Sequence, residues 1–138
     1  MIFVRNITER TFMDYEDYVK QIVDGSDVKL AALVSHDGDF LAYSCNSDCV
    51  CEGTFSVKNQ KKMGRHVALM ADHHRMLDDF PTDPQFIETH REGSTSVLIY
   101  LRNHYLFLTS NHRCGEIEKV VKNSTSLYNE EKLYATVY

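Results

Sequence analysis

Cys45, Cys49 and Cys51 stand as C-x3-C-x-C, with His112 and Cys114 following in "HRC". Thiolates and imidazoles bind zinc, but a tetrahedral site needs about four such ligands, commonly supplied by C-x2-4-C pairs. This chain has one loose cluster, and its second half supplies a single cysteine and a single histidine. Cysteine also serves as a small buried hydrophobe. A small metal protein or hydrolase using Cys45, Cys49, Cys51 and Cys114 is thus an alternative reading. Cys114 and His112 as a thiol–imidazole pair rest on sequence neighbourhood alone.

The second candidate joins "ADHHRML" to "SHDGD". Asp72, His73 and His74, with His36, Asp37 and Asp39, loosely resemble the motifs of manganese-dependent DHH-type phosphoesterases, where such residues orient a hydrolytic water between two metals. That family needs a longer chain and a Gly-rich closing motif that is absent here, and Asp72 to His74 fall inside a helical pattern. No phosphate-cradling glycine loop and no G-x-S-x-G elbow occurs. Nothing in these residues demands catalysis, and no cofactor is implied.

Bulk properties narrow the field further. The 138 residues make about one ordinary domain, read here as residues 1–138 with a core near 12–130. Apolar residues at 43% and charged residues at 25% are ordinary globular composition, and a net charge of −5 supplies no basic face for nucleic acid. No apolar run approaches the ~20 residues that span a bilayer, and "MIFVRNITER" is too short in apolar length for a secretion signal. The expectation is a cytoplasmic protein without membrane insertion, its four cysteines thiols.

The elements that would position these groups follow from periodicity. "FMDYEDYVKQIV" is helical, with Tyr15, Tyr18, Val19, Ile22 and Val23 on one side. "VKLAALVS" suits a strand buried on both faces. Asp37-Gly38 predicts a two-residue hairpin turn with both residues at positive φ, leading into "FLAYSC". Residues 57–80 are helical, and 85–91 form a short strand. Turns at Glu92-Gly93 and Asn103-His104 give two more hairpins, and "GEIEKVVKNSTSLYNEE" carries Ile117, Val120, Val121, Ser124 and Leu127 along one helical stripe. The tail "KLYATVY" reads as a short strand or a loose end. The order α-β-β-α-β-β-β-α predicts an α/β, three-layer sandwich around a five-stranded, mainly antiparallel sheet.

The middle helix carries two apolar stripes. Met63, Val67, Met70, His74 and Leu77 are enough to face a sheet. Beside them run His66, Leu69, His73, Met76 and Phe80 at 3-4 spacing, making the apolar arc wider than a surface helix needs. Either the second stripe is buried under the loop of residues 45–56, or it meets another chain, most simply a second copy about a twofold axis.

With this element order the chain resembles the roadblock family, which includes roadblock-type dynein light chains, late-endosomal Ragulator scaffold subunits and bacterial partners of a polarity GTPase. "VKLAALVSHDGDFLAYS", "FIETHREGSTSVLIYLRNHYLFLTSN" and "GEIEKVVKNSTSLYN" carry the resemblance. The long Cys-bearing loop from Cys45 to Gly53 departs from plainer members, and profilin-like and longin-like domains share the layout. The resemblance implies a non-enzymatic homodimer, or paralogue heterodimer, that scaffolds or regulates a small Ras-like GTPase. Its contacts would be His66, Leu69, His73, Met76 and Phe80 on the helix, with Gln85, Ile87, Thr89 and Arg91 on the following strand. A small-ligand sensing domain is the remaining alternative.

Overall fold

The computed structural model describes residues 13–46, 57–77, 86–110, 117–128 and 133–134. In chain order the elements are β1 (Met13–Asp14), α1 (Tyr15–Asp24), β2 (Leu30–Ser35), β3 (Phe40–Cys45), α2 (Val57–Leu77), β4 (Phe86–Arg91), β5 (Ser94–Tyr100), β6 (His104–Ser110), α3 (Ile117–Leu127) and β7 (Leu133–Tyr134). The five-stranded sheet runs β3-β2-β6-β5-β4, and every neighbouring pair is antiparallel. The expected fold class holds: three helices and a five-stranded antiparallel sheet.

Strand alternation sorts the core into two layers. Ala31 and Leu33 of β2, Val97 and Ile99 of β5, and Leu106 and Leu108 of β6 pack on one face with Tyr18, Val19 and Ile22 of α1 and Ile117 and Val121 of α3. On the opposite face Val34, Leu98 and Tyr105 meet Val67, Ala68 and Ala71 of α2. Tyr18 is fully buried, and its hydroxyl donates to the Ser124 carbonyl at 2.9 Å, tying α1 to α3. Burial, and secondarily the nearby Tyr128, push the Tyr18 phenol well above its ordinary pKa.

Several local expectations shift. Helix α1 begins at Tyr15 instead of residue 12, because Asp14 caps it: its Oδ1 accepts from the Asp17 amide at 2.8 Å. Met13 and Asp14 instead pair in parallel with Leu133 and Tyr134, so part of the tail is a strand. In the β2–β3 turn only Gly38 has positive φ (93°), and the turn closes from Ser35 N to the Asp39 carbonyl at 2.9 Å. This connection is therefore wider than a two-residue hairpin. Gly93 at φ 77° does close a two-residue turn. His104 opens β6 and does not belong to the turn. The first strand of the large sheet begins at Leu30, two residues later than "VKLAALVS" suggests.

Candidate functional site

Helix α2 lies on the sheet through small residues. Gly64, Val67, Ala68 and Ala71 are buried, whereas Met63 and Met70 are only half-buried and His74 is exposed. The expected core stripe of Met63, Val67, Met70 and His74 is thus rotated, by roughly 75° at ~100° per residue. Small side chains let the helix approach the strands closely, so the larger methionines move to its flank. The placement of His74 toward the core is overturned.

This rotation divides the second stripe. Leu69 is 66% and Met76 84% exposed, and most of the loop expected over them, residues 47–56, lies outside the described residues. His73 is also exposed, on the same outward side. His66 instead turns with Met70 and His74 toward β4, where Ile87, Thr89 and Arg91 form the opposite wall of a small groove, about 60 Å³ in volume, floored by Leu98 and Phe107. Of the expected contact residues, His66, Ile87, Thr89 and Arg91 come together; Leu69, His73 and Met76 stand apart on the outward face. Phe80 and Gln85 lie outside the described residues.

Met70 and His74 are the groove residues that the apolar pattern assigned elsewhere. The signal that identifies them is the small-residue run Gly64, Ala68, Ala71 at 4-3 spacing, which marks the sheet-facing side and turns its neighbours outward. The groove ends at β4, the terminal strand of the sheet. Each wall adds cationic or titratable groups: His66 and His74 from the helix, Arg91 from the strand. The other face of β4 is different. There Glu88 contacts His90 Nε2, and His90 Nδ1 lies 3.2 Å from Thr95 Oγ1.

The C-terminal turn of α2 is anchored by aromatic residues. Arg75 Nη1 donates to the Tyr105 hydroxyl at 2.9 Å, and its guanidinium carbon sits 5.1 Å from the Tyr100 ring centre. The Tyr100 hydroxyl donates to the Ala71 carbonyl at 2.8 Å. Asp72 approaches Arg75 only to 3.7 Å. The contacts to Tyr105 and Tyr100 make Arg75 the structural anchor, and Asp72 adds little to it.

Among the described residues no group of three or more His, Cys, Asp or Glu side chains is placed to hold a metal. His73 and His74 have ring centres 6.2 Å apart, and His36 packs instead on Tyr105 with ring centres 4.5 Å apart. Cys49, Cys51, His112 and Cys114 lie outside the described residues. Cys45 is disulfide-bonded, which corrects the expectation of four thiols. No helix among the described residues is long and apolar enough to cross a membrane.

No family model matches the sequence, and no curated protein matches it. Solved structures do match the fold. A Roadblock/LC7 domain from Streptomyces avermitilis superposes with TM-score 0.66 at 10% identity, over 83% of this chain and 92% of that one. The gliding protein MglB of Thermus thermophilus gives 0.66 at 13% identity, over 80% and 82%. Profilin IA of Acanthamoeba castellanii gives 0.58 at 16% identity, over 81% and 94%. At these identities the likeness shows the fold, which is roadblock/profilin-like.

Proposed function

We propose that the chain is a single-domain, non-enzymatic, dimeric module of roadblock type that scaffolds or regulates a small Ras-like GTPase. One observation carries the dimer: an apolar helix flank and a groove run beside the terminal strand β4, whose outer backbone groups have no neighbouring strand among the described residues. A second copy, its own β4 antiparallel to the first, would extend the sheet and bring the two α2 helices side by side over the seam. Groove residues His66, Met70, His74, Ile87 and Thr89 would then face the partner, while Leu69, His73 and Met76 flank it. Joining the edges also removes a template for uncontrolled strand addition.

The GTPase half of the proposal rests on the fold and on the family the sequence resembles. A platform of two such domains offers a broad surface on which a folded partner can rest. The test is affinity capture by the purified dimer from native lysate loaded with GTP analogue or GDP, followed by mass spectrometry. The expected result is enrichment of a Ras-like GTPase whose nucleotide exchange, hydrolysis or localisation changes with the module. Capture that returns no such GTPase in either nucleotide state would contradict it.

A further inference from the structure

From the pattern of β4 we infer that the seam is written for self-recognition: Thr89 lies on the twofold axis, and Glu88 of each copy opposes His90 of the other. The inference rests on the β4 seam of the proposed dimer and adds its register and its partner, a second copy of this chain.

The backbone restricts the choices. Arg91 and Ser94 flank the two-residue turn Glu92-Gly93 and pair with each other. In such a hairpin the flanking residues form a hydrogen-bonded pair, and the pair type alternates along the ladder. Arg91, Thr89 and Ile87 therefore direct their amides toward β5. Phe86, Glu88 and His90 direct theirs to the free edge, where a second chain would meet them.

The side chains then fix the register. A twofold axis perpendicular to the sheet keeps each face on its own side, so opposed residues must share a face. Ile87, Thr89 and Arg91 line the α2 groove, and Glu88 and His90 project on the other face beside Thr95. Two registers keep nearly the whole strand paired. One sets Glu88 against its own copy, two carboxylates directly opposed, with Phe86 facing His90. The other centres on Thr89 and opposes Glu88 to His90 twice, with Ile87 facing the stem of Arg91. Opposed like charges destabilise a ladder and opposed unlike groups support it.

The groups around the pair agree. His90 Nδ1 is engaged by Thr95 Oγ1, which holds the ring with Nε2 toward the carboxylate. A carboxylate accepts from several donors, so Glu88 can keep its own His90 and take that of the second copy. Arg91 projects on the opposite face. "Glu-Thr-His" is thus self-complementary when two copies run antiparallel, and a paralogue would need the same three residues to match it.

The test uses the full-length chain carrying Thr89→Cys or, separately, Glu88→Cys, oxidised mildly at micromolar concentration with linkages mapped by peptide mass. In the inferred register the two copies of position 89 form the closer, non-hydrogen-bonded pair, with Cα atoms about 4.5 Å apart, within disulfide range. Thr89→Cys should link through position 89, and Glu88→Cys should not link to itself. His90→Glu, which sets carboxylates against each other twice, should weaken the dimer about tenfold. A dimer that links through Glu88→Cys, or through neither variant, overturns the register while leaving the dimer standing. A monomer at the same concentration removes the dimer beneath it and the register with it.

Discussion

Gly64 of α2 rides on Gly38 of the β2–β3 turn so closely that a Cβ at position 64 would collide with the Gly38 carbonyl oxygen and approach Phe40 N to 3.1 Å. The neighbours in that contact are backbone atoms, which cannot swing aside as a side-chain tip can. This contact sets the height of α2 above the sheet, and hence the depth of the groove along its flank.

Gly64→Ala should therefore destabilise the fold although alanine is the better helix former by ~1 kcal/mol. Overpacking against backbone should outweigh that gain and leave a net loss of about 1–2 kcal/mol. Urea unfolding followed by circular dichroism measures it; a variant as stable as the parent would mean that the helix does not sit this close.

Arg75 supplies the second anchor of α2. Arg75→Met keeps the apolar stem but removes the donor to Tyr105 and the cation beside Tyr100, and should cost about 1–2 kcal/mol. Asp72→Asn should change stability by no more than about 0.5 kcal/mol, because a partly exposed pair at 3.7 Å contributes little. Equal losses in the two variants would relocate the anchor to the ion pair.

Tyr18 predicts the alkaline behaviour. Its phenol titrates above the ordinary value in the fold, first because it is buried and second because of Tyr128. In the unfolded chain it ionises near pH 10. Below that value both states keep the proton and the stability is intact. Above it the unfolded chain releases a proton that the folded chain retains, so stability falls with rising pH, by about 1.4 kcal/mol per unit from this group. Tyr18→Phe should cost about 1 kcal/mol at neutral pH, through the lost bond to Ser124, and show a shallower alkaline decline. Equal slopes above about pH 10 for the two proteins would contradict the placement.

Cys45 makes a chemical prediction. Four cysteines with Cys45 in a disulfide leave at most two free thiols. Thiol titration of the unfolded, non-reduced protein should count two or fewer and rise to four after reductant. Four before reduction would return Cys45 to the thiol state that a reducing compartment favours.

Much of this architecture is legible in periodicity. Ile117, Val121 and Ser124 are buried in α3 as the helical stripe requires, and the unbroken apolar run of β2 is buried on both faces. The orientation of α2 was not legible by counting apolar residues, since Met63 and Met70 offer far more apolar side-chain surface than Gly64 and Ala71. Close packing favours the small ones at the interface, which turns Met70 and His74 into groove walls. The β2–β3 turn misled for a related reason: Asp37-Gly38 reads as a tight turn, but only the glycine takes positive φ. His66 follows from the 3-4 spacing of α2, and Ile87, Thr89 and Arg91 from the resemblance, which points to the strand after that helix; the four line one groove.

The central claim is that β4 is closed by a second copy, and sedimentation of the intact chain beside Glu88→Pro tests it most directly. Proline at 88 removes an amide that faces the free edge and leaves the amides of Ile87, Thr89 and Arg91 on β5. The account predicts twice the 16.0 kDa chain mass for the parent at micromolar concentration, and a folded monomer for the variant. A parent that sediments at the mass of one chain, or a variant that remains dimeric, would contradict it.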